Sequence, residues 1–575
     1  MGLSVKKIDL HTRLRDKQVS AKKLQVQEFA MRKYMLAVLL LCVFAASIFA
    51  QSTTGRLVGT VSGPDGVIPG ATIVITDNQT KRERTLTSSD DGAFAAPQLE
   101  FGTYTVSVTA TGFKTLTATD LKIDIGREYS LNPTLEVGGV NESVTVVAGA
   151  DIVNAVNGEL SGTVSPAQIT QLPLDGRSPL SLITLQPGTA SSGANGGTTS
   201  INGQRTAFTN ITRDGINVND NFIRANGTDF SPERSTSDDT GEFTITTQNA
   251  GADQGYGAAQ VRLVTPRGQS EFHGALYEYN RNSKFTANAY PNNASDQPRP
   301  FLNRNQLGGK IGGPFPVPNF GEGGSAFTKG KGFFFFAYEK QYLRQSQTNT
   351  SSVLTSEAKS GNFRFIDSTG VTRSVNIFSL LPAGGAGNSP TGINPIIQSR
   401  ILAGMPNPNT PGGDLNTSFF SVNQAFNDDY DYYTTRIDLD INDRHTINGV
   451  YTYKDQVVQR PDVTLDNFAN SAAVVQPGIS KFLALAYSAT PTDRFNNEVR
   501  GGFSFPKANF ERITPVPDVF IRTPTINNVP RNNGGLDYVN SPETVFPKPG
   551  AFSGELQHPR QRYLYFRQSF FSLLV

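Results

Sequence analysis

The chain has 575 residues, and charged residues make up only 17% of them. Its formal net charge of +2 is misleading, because residues 1–33 carry nine Lys/Arg and three Asp/Glu and leave the remainder acidic by four charges. An acidic body lacks the basic surface that nucleic-acid binding requires, so no nucleic-acid partner is expected. The length exceeds that of one ordinary domain. The 55 Gly, 38 Phe and 18 Tyr favour many short strands and turns.

Cysteine and histidine usage excludes two kinds of chemistry. The single cysteine, Cys42, lies in an apolar run that we expect to be removed, so the mature protein should have neither a disulfide nor a catalytic thiol. The four histidines are dispersed, and none begins a zinc-hydrolase pattern. They are His11, His273, His445 and His558. We therefore expect no metal site, no cofactor and no enzymatic centre.

Residues 31–50 have a basic start, an apolar centre and small residues at the end. This pattern predicts a secretory signal peptide. The alternatives are a membrane anchor, which needs ~20 apolar residues, and a lipoprotein signal, for which the residue before Cys42 is a poor fit. Residues 1–30 are polar and basic, and we interpret them as a misassigned or disordered extension because Met31 is the better start.

Residues 54–137 alternate apolar and polar side chains in short runs separated by turns. In the last run, Tyr104, Val106 and Val108 share one face and Thr and Ser the other, as in the half-buried sheet of a β-sandwich. The motifs G-x-V, G-A-x-V, D-G-x-F and L-x-x-G-x-Y-x-V resemble the carboxypeptidase regulatory-like (transthyretin-like) domain. The resemblance implies an accessory or binding module without peptidase activity, since that module carries no zinc ligands.

Residues 138–151 form a linker in which a β-prone peptide lies between glycines. The peptide consists of Glu142, Ser143, Val144, Thr145, Val146, Val147 and Ala148. An exposed segment of this kind can add as a strand to the sheet edge of a partner. It resembles the TonB box of TonB-dependent receptors, which implies pairing with TonB in the periplasm, with Gly138, Gly139 and Gly149 as pivots. The alternative is a linker strand that packs on its neighbours.

Residues 152–265 differ in character from the preceding domain. A short helix is predicted with Ser165 as N-cap and Pro166 at its first position, and tight Asn-Gly and Asp-Gly turns follow. The segments LPLDGRSPLSLITLQPG, INGQR, RDGINVND, and GYGAAQVRLVT with SEFHG resemble the plug of Oar-like TonB-dependent receptors. The resemblance implies a small α+β plug inside a barrel. We expect the Gly/Ala run 250–259 to let the plug lie close to the barrel wall.

Polar side chains in the plug loops are the candidates for ligand contact. Besides the loop 188–200, the candidate residues are Asp214, Asn217, Asn219, Asp220 and Asn221. Asn and Asp are also the residues that close tight turns, and that alternative is the one we favour for them.

From residue 266 onward, strands of ~10 residues carry one apolar-aromatic face and one charged face, as in an outer-membrane barrel. Short turns at 442–445 and 490–494 alternate with long polar loops at 344–430 and 455–479. Aromatic clusters at 333–336 and 563–566 are expected to form interfacial girdles, a feature that a soluble sandwich would not need. Because every backbone group must pair in lipid, such a sheet must close.

The alternation also predicts which side chains face lipid. In 435–441 and 446–454, the apolar Ile, Leu and Tyr side chains should face lipid, and charged residues such as Arg436 and Lys454 should face the lumen. In the first strand we expect Ala275, Tyr277 and Tyr279 to face lipid. The opposite face, toward the plug, should carry Leu276, Glu278 and Asn280.

About eight strands can be recognised in residues 266–575, whereas transporters of this class have about 22. We therefore expect an incomplete barrel, from a truncated or frameshifted receptor. The fold class predicted is mainly β, with an N-terminal β-sandwich, a small α+β plug and antiparallel outer-membrane β-barrel strands.

By resemblance the chain is a non-enzymatic TonB-dependent receptor of the Gram-negative outer membrane, surrounded by lipid. Its plug would open when TonB pulls the box, and the extracellular ligand would be a siderophore, an oligosaccharide or a peptide. The alternative is a cell-surface adhesin or carbohydrate-binding outer-membrane protein that uses the β-sandwich. A secreted carboxypeptidase is disfavoured because the H-x-x-E motif is missing.

Overall fold

The computed structural model describes most of the chain after residue 52. The described residues are 53–139, 142–147, 158–192, 198–204, 208–219, 235–251, 254–255, 257, 259–290, 293, 298–318, 327–380, 398, 402–442, 444–461, 468, 474–492, 495–512, 520–522, 536–538 and 570–574. The predicted signal peptide and N-terminal extension lie outside them, as do Ala148, Gly149, Asp220 and Asn221.

The first unit, called the sandwich (residues 54–137), consists of short strands joined by tight turns. Its strands are β1 (Gly55–Thr60), β2 (Ser62–Gly63), β3 (Gly66–Val67), β4 (Thr72–Asp77), β5 (Glu83–Thr87), β6 (Ala93–Leu99), β7 (Gly102–Thr109), β8 (Thr115–Ile123) and β9 (Glu128–Ser130). A sheet of order β6-β1-β9 covers a second sheet of order β8-β7-β4-β5. The apolar face predicted for β7 is inside, with Tyr104 4% exposed and Val106 and Val108 fully buried.

A further strand, β10 (Ser143–Val147), follows the sandwich and pairs in parallel with β8. The second sheet therefore has the order β10-β8-β7-β4-β5, with β10 at its edge. The β-prone peptide of the linker is thus a strand, as its composition predicts, and it is paired within its own chain.

The second unit, called the plug (residues 152–265), has one mixed sheet covered by short helices. Its elements are β11 (Leu160–Val164), α1 (Pro166–Gln171), 3-10 turns at Asp175–Arg177 and Pro179–Leu185, β12 (Thr189–Ser192), β13 (Thr198–Ile201), β14 (Thr209–Arg213), β15 (Ile216–Asn217), β16 (Glu242–Gln248) and β17 (Ala259–Val264). The sheet order is β11-β16-β17-β14-β15, and β12 and β13 form a separate hairpin. Ile169 and Ile183 from the helices pack with Phe243 and Val261 from the sheet.

Local sequence signals in the plug produce the predicted structures. Ser165 caps α1 through a capping box, in which Gln168 N donates to Ser165 Oγ and Ser165 N donates to Gln168 Oε1. The β14–β15 turn uses Asp214 and Gly215 with φ of 44° and 78°. The pair of positive φ values explains the Asp-Gly sequence, since this hairpin turn places both central residues in the left-handed region.

The third unit, called the wall, is a long antiparallel sheet. Its strands are β18 (His273–Asn282), β19 (Leu302–Pro318), β20 (Phe327–Leu354), β24 (Asp428–Asn442), β25 (His445–Gln459), β26 (Val474–Thr492), β27 (Phe495–Ala508) and β31 (Phe570–Leu574). They are hydrogen-bonded in that order. Within the described residues this eight-stranded path does not close on itself, which agrees with the predicted incomplete barrel.

Smaller elements lie between the wall strands in the sequence. They are α2 (Ser356–Lys359), β21 (Asn362–Ile366), β22 (Thr372–Asn376), a 3-10 turn at Ile377–Leu380, β23 (Thr417–Ala425), β28 (Glu511–Arg512), β29 (Phe520–Arg522) and β30 (Leu536–Tyr538). Among the described residues, no helix is long and apolar enough to cross a membrane.

The two ends of the wall differ, as the sequence predicts. Connections at 442–445 and 492–495 are short, whereas those after β18, β20 and β25 are long. We call these the short-turn end and the long-loop end. The expected loop 344–430 is more ordered than predicted: β20 continues to Leu354 and pairs with β23, and β21 and β22 form a hairpin. Polar strands can extend beyond the membrane because water replaces lipid there, which composition alone does not reveal.

Aromatic residues form a belt on the outer face of the wall, and half of the predicted cluster lies on that face. Of the cluster 333–336, Phe333 and Phe335 are buried on the inner face, whereas Phe336 is 38% exposed. The outer belt also includes Tyr338, Tyr433 and Tyr453, with ring centroids 4.8 Å and 6.3 Å apart along the row. Alternation turns every second residue of an aromatic run inward, so a continuous run cannot form a girdle by itself. The second cluster, 563–566, lies outside the described residues.

Candidate functional site

The plug contacts the inner face of the wall mainly through buried polar groups. Arg213 at the end of β14 is 1% exposed, and its guanidinium donates to Asp239 Oδ2 at 2.7 Å and to Tyr432 Oη at 2.5 Å. Asp239 also accepts from Thr434 Oγ1 of the wall at 2.9 Å. The ion pair itself lies within the plug and stabilises it, since either charge left alone would be strongly destabilising. The bonds to Tyr432 and Thr434 join the pair to the wall.

Two arginines of the wall reach the plug from the opposite direction. Arg436 Nη1 donates to the carbonyl oxygen of Thr265 at 2.8 Å, and Arg500 Nη1 donates to that of Asp214 at 2.9 Å. Both side chains are buried on the inner face, as the alternation of residues 435–441 predicts for Arg436. The charged face of these strands therefore holds the plug through backbone carbonyls, which any plug sequence would provide.

The predicted orientation of the first wall strand is wrong. Leu276 is 92% exposed on the outer face, whereas the hydroxyl of Tyr277 donates to Glu339 Oε2 on the inner face at 3.0 Å. The guanidinium of Arg177 in the plug lies 5.0 Å from the ring centroid of Tyr277 and 3.8 Å from that of Tyr279. Tyrosine suits this inner face because it offers a ring to a cation and a hydroxyl to a carboxylate.

At the long-loop end, the plug and the wall share an accessible ion cluster. Asp175 Oδ1 accepts from Arg281 Nη1 at 2.5 Å and from Arg304 Nη2 at 2.9 Å. Burial alone would raise the pKa of Asp175, but hydrogen bonding and charge from Arg304 and Arg281 outweigh it and lower the pKa. Gly176 follows with φ of 82° and Arg177 with φ of 54°, so the turn presents Asp175 and Arg177 to different partners.

The predicted ligand candidates are engaged within the plug where the structure describes them. Asp214 accepts from the backbone N of Thr265 at 3.0 Å, and Asn217 Nδ2 donates to Asn210 Oδ1 at 2.6 Å. Asn219 Oδ1 accepts from the backbone N of Ile211 at 2.6 Å. The bonds of Asn217 and Asn219 join the two strands of the β14–β15 hairpin, and that of Asp214 ties its turn to the residue after β17. Ligand contact by the described candidates stays a prediction, and Asp220 and Asn221 lie outside the described part of the chain.

The sandwich is docked on the plug through its β8–β9 connection. The backbone N of Ile125 donates to Glu242 Oε1 at 3.0 Å, and Thr244 Oγ1 donates to the carbonyl oxygen of Ile125 at 3.3 Å. Burial raises the pKa of Glu242, and the neighbouring carboxylate of Asp124 raises it further. Burial would raise the pKa of Asp124, but its hydrogen bonds with Lys122 and with the hydroxyl of Tyr129 at 2.7 Å outweigh it and lower the pKa. The carboxyl of Asp124 is therefore held charged, while that of Glu242 is favoured in its neutral form.

The sandwich also meets the exit of the plug, where the chain enters the wall. Arg267 forms a buried ion pair with Asp77 of β4, and Arg436 of the wall lies 3.3 Å from Glu100 Oε2. Burial would raise the pKa of Glu100, but the charges of Arg436 and Arg267 outweigh it and lower the pKa. Glu100 therefore stays charged in the contact between the sandwich and the wall.

A glycine permits close approach at this exit. A Cβ on Gly268 would overlap the backbone of Phe334 and the carbonyl oxygen of Gly313, so only glycine fits against the wall there. The sequence predicted that the Gly/Ala run 250–259 would have this role. In the described part of that run, a Cβ on Gly257 would instead meet the carbonyl oxygen of Phe208, which belongs to the plug.

The predicted box is only partly accessible. Its residues Glu142, Ser143, Thr145 and Val146 have exposed side chains. One backbone edge of the strand, however, is paired with β8 from Ser143 to Val147. The pairing with β8 is the alternative given for this peptide, a linker strand that packs on its neighbours. The β-prone composition of 142–147 allows either outcome, since a peptide able to pair with a partner can also pair with its own domain. Sequence reasoning missed the sandwich–plug contact, because it joins segments that are distant in the chain.

The described residues contain no group of three or more His, Cys, Asp and Glu arranged to hold a metal ion. What the described residues do bring together is a polar contact between plug and wall and an ion cluster at the long-loop end.

Comparison with known proteins identifies two segments. Residues 264–564 match the outer membrane beta barrel domain family, and residues 56–136 match the carboxypeptidase regulatory-like domain family. The "TonB-dependent transporter Oar" of Myxococcus xanthus is 24% identical over 327 residues, which is 54% of this chain and 29% of that protein. These matches confirm the resemblance inferred from the motifs.

Solved structures of receptors are similar at low identity. The ferric enterobactin receptor PfeA from Pseudomonas aeruginosa is 11% identical with a TM-score of 0.34, over 61% of this chain and 41% of that one. The alcaligin outer membrane receptor FauA from Bordetella pertussis is 13% identical with a TM-score of 0.28, over 62% and 48%. The chain thus spans less than half the length of these proteins and under a third of the curated relative.

Proposed function

Because the chain belongs to the outer membrane beta barrel domain family, we propose that it serves in TonB-dependent import of an extracellular ligand. In this proposal the long-loop end faces the outside of the cell and the short-turn end faces the periplasm. The ligand is bound at the long-loop end above the plug. TonB pairs with the box in the periplasm, and the pull displaces the plug. No bond of the ligand is made or broken.

The observation that carries the proposal is the way in which the plug is held. Its contacts with the wall include many hydrogen bonds and ion pairs, such as those of Arg436 and Arg500 to plug carbonyls. Water can replace such bonds one at a time as the plug moves, whereas an apolar seal would have to be broken all at once. Apart from the apolar contact with Val450, Phe482 and Ala484 of the wall, a plug held in this way can be displaced in steps.

The accessible ion cluster at the long-loop end supports the ligand side of the proposal. Arg281 and Arg304 share the single carboxylate of Asp175, so the cluster has a surplus positive charge. The side chain of Arg281 is 41% exposed, so an anionic group on a ligand can approach its guanidinium and compete with the carboxylate of Asp175. Displacing Asp175 from the two arginines would connect ligand binding to the turn that carries Arg177.

The test is a strain whose chromosomal gene lacks residues 142–147, compared with the parent strain across siderophores, oligosaccharides and peptides as sole nutrient sources. We expect growth on one nutrient class to be lost while binding of that nutrient to whole cells persists. A matched control replaces Pro64 and Asp65 by alanine in the exposed β2–β3 turn of the sandwich, which the proposal does not use, and growth should be unchanged. If the box deletion leaves growth on every nutrient unchanged while a gene knockout does not, the proposed coupling to TonB is wrong.

A further inference from the structure

The box is already bound as a strand, and its partner is the sandwich. All five residues of β10 have register partners in β8, from Ser143 opposite Thr115 to Val147 opposite Thr119. The backbone N of Thr115 also donates to the carbonyl oxygen of Glu142 at 2.9 Å. Without β10, β8 would be the edge strand of its sheet, so the outer edge of β8 is a docking site for an extended peptide.

The box is held almost entirely by its backbone. Among its described side chains, at residues 142–146, none belongs to the buried core of the sandwich, whereas Ala118 and Leu121 of β8 do. A side-chain bond of the box is an exposed one, in which Lys114 lies 3.5 Å from Glu142 Oε2 and 3.3 Å from Glu136 Oε2. Detaching residues 142–146 would remove no member of that core and would leave Lys114 paired with Glu136. The sandwich is therefore complete without the strand.

The pairing of the box with β8 determines which unit first bears a pull on the box. Twelve residues, 148–159, lie between β10 and β11, the first strand of the plug. While the box stays on β8, a pull on it is borne first by the sandwich, which is anchored on the plug and the wall through Glu242 and Arg436. Direct pulling on β11 through the linker requires the box to leave β8.

We propose that the outer edge of β8 is a resting dock for the box and competes with TonB for it. The proposal rests on the proposed function, because it presumes that TonB takes this strand. When the box leaves β8 for TonB, one set of backbone hydrogen bonds replaces another, so the free-energy difference between the two pairings is small. The sandwich thereby sets how much of the box is available and shields a β-prone strand from unwanted pairing.

A disulfide lock tests the dock directly. Thr145 and Thr117 are register partners, and partners on neighbouring strands lie within the ~4.4–6.8 Å Cα separation that a disulfide spans. The mature chain has no cysteine of its own if the signal peptide is removed, so the double variant Thr117→Cys/Thr145→Cys has one possible pairing. The matched control, Val74→Cys/Ser107→Cys, joins register partners of β4 and β7 inside the sandwich.

The readout is binding of the purified periplasmic domain of TonB to the full chain in detergent, with and without dithiothreitol. We expect the oxidised lock to weaken binding at least ~10-fold and reduction to restore it. The control pair should bind equally well in both states. A variant with the opposite effect is Lys114→Gln, which loosens the dock and should tighten TonB binding by ~2-fold, since exposed ion pairs contribute little.

The outcomes separate the two proposals. If the oxidised lock binds TonB as tightly as its reduced form, TonB adds to the free edge of β10 and the dock is not competitive. If deletion of 142–147 leaves TonB binding unchanged, the box assignment in the proposed function fails, and the dock falls with it. Loss of binding on oxidation in the lock alone, reversed by reduction, supports the dock.

Discussion

The sandwich and the plug are stabilised in opposite ways. The sandwich encloses its own apolar core, in which Leu57, Ile73 and Val106 are fully buried and no residue of another unit takes part. The apolar core of the plug is completed by Val450, Phe482 and Ala484 of the wall, and its remaining contacts with the wall are largely polar. The sandwich is therefore built to stay intact under load, and the plug is built to depend on its surroundings.

Removing the buried arginine of the plug should have the largest effect. Arg213→Met leaves the carboxylate of Asp239 buried without its cation, and breaking such a pair costs roughly 3–5 kcal/mol. We expect faster amide hydrogen exchange in β14 and β17 and unchanged exchange in the sandwich. The measurement is hydrogen exchange by mass spectrometry on the full chain in detergent.

A core truncation in the sandwich is the matched control for that experiment. Ile73→Ala removes a fully buried side chain and should destabilise the sandwich by about 2–5 kcal/mol, with little change in the plug. If each variant loosened both units equally, the sandwich and the plug would form one cooperative unit and the contrast drawn above would not hold.

The contact between sandwich and plug should weaken as pH rises. The pKa of Glu242 is raised in the docked state, so docking takes up a proton. The stabilisation that this bound proton gives to docking is complete below the ordinary carboxyl pKa of 4.5. It is lost as pH rises through the raised pKa. We expect hydrogen exchange of residues 124–127 to quicken between about pH 5 and pH 9 beyond the intrinsic rate increase.

Replacing Glu242 by Gln separates this effect from general alkaline loosening. The amide oxygen of Gln can still accept from the backbone N of Ile125, but it does not titrate. The excess pH dependence should disappear in Glu242→Gln and persist in Glu128→Gln, whose carboxylate lies beside exposed Arg56. Retention of the full pH dependence in Glu242→Gln would assign the titration to another group.

Local patterns in the sequence predict the elements well and their partners poorly. The N-cap at Ser165, the Asp214–Gly215 turn and the inner position of Arg436 depend on neighbours in the chain, and the structure confirms them. The face of β18 depends instead on Arg177 and Glu339, which lie far away in sequence. Alternation defines two faces of a strand, but which one meets lipid is decided by partners that only the fold brings together.

The same distinction applies to the candidate site. Composition identified 142–147 as a strand able to pair, and the structure adds that β8 is its present partner. The ion cluster of Asp175 was not predicted, because Arg281 and Arg304 belong to two strands that meet a plug turn more than a hundred residues earlier in the chain. Charged residues on a strand predict a wet face but not the group that each one contacts.

The smallest effect is expected at the exposed cluster of Asp175. Asp175→Asn removes the charge shared by Arg281 and Arg304, and solvent screening limits the loss to below ~1 kcal/mol. Because the pKa of Asp175 is lowered, its contribution is present above the ordinary value of 3.8 and is lost as pH falls through the lowered one.

Hydrogen exchange of residues 172–178 should therefore quicken in Asp175→Asn at neutral pH, while β14 and the sandwich keep their protection. The control is Asp367→Asn, which removes an exposed ion pair with Arg373 in the hairpin of β21 and β22. A change that spread to β14 would show that this turn is coupled to the Arg213 network. In that case an anion that displaced Asp175 from Arg281 and Arg304 would loosen the whole plug rather than residues 172–178 alone. The plug would then be easier to displace before any pull on the box.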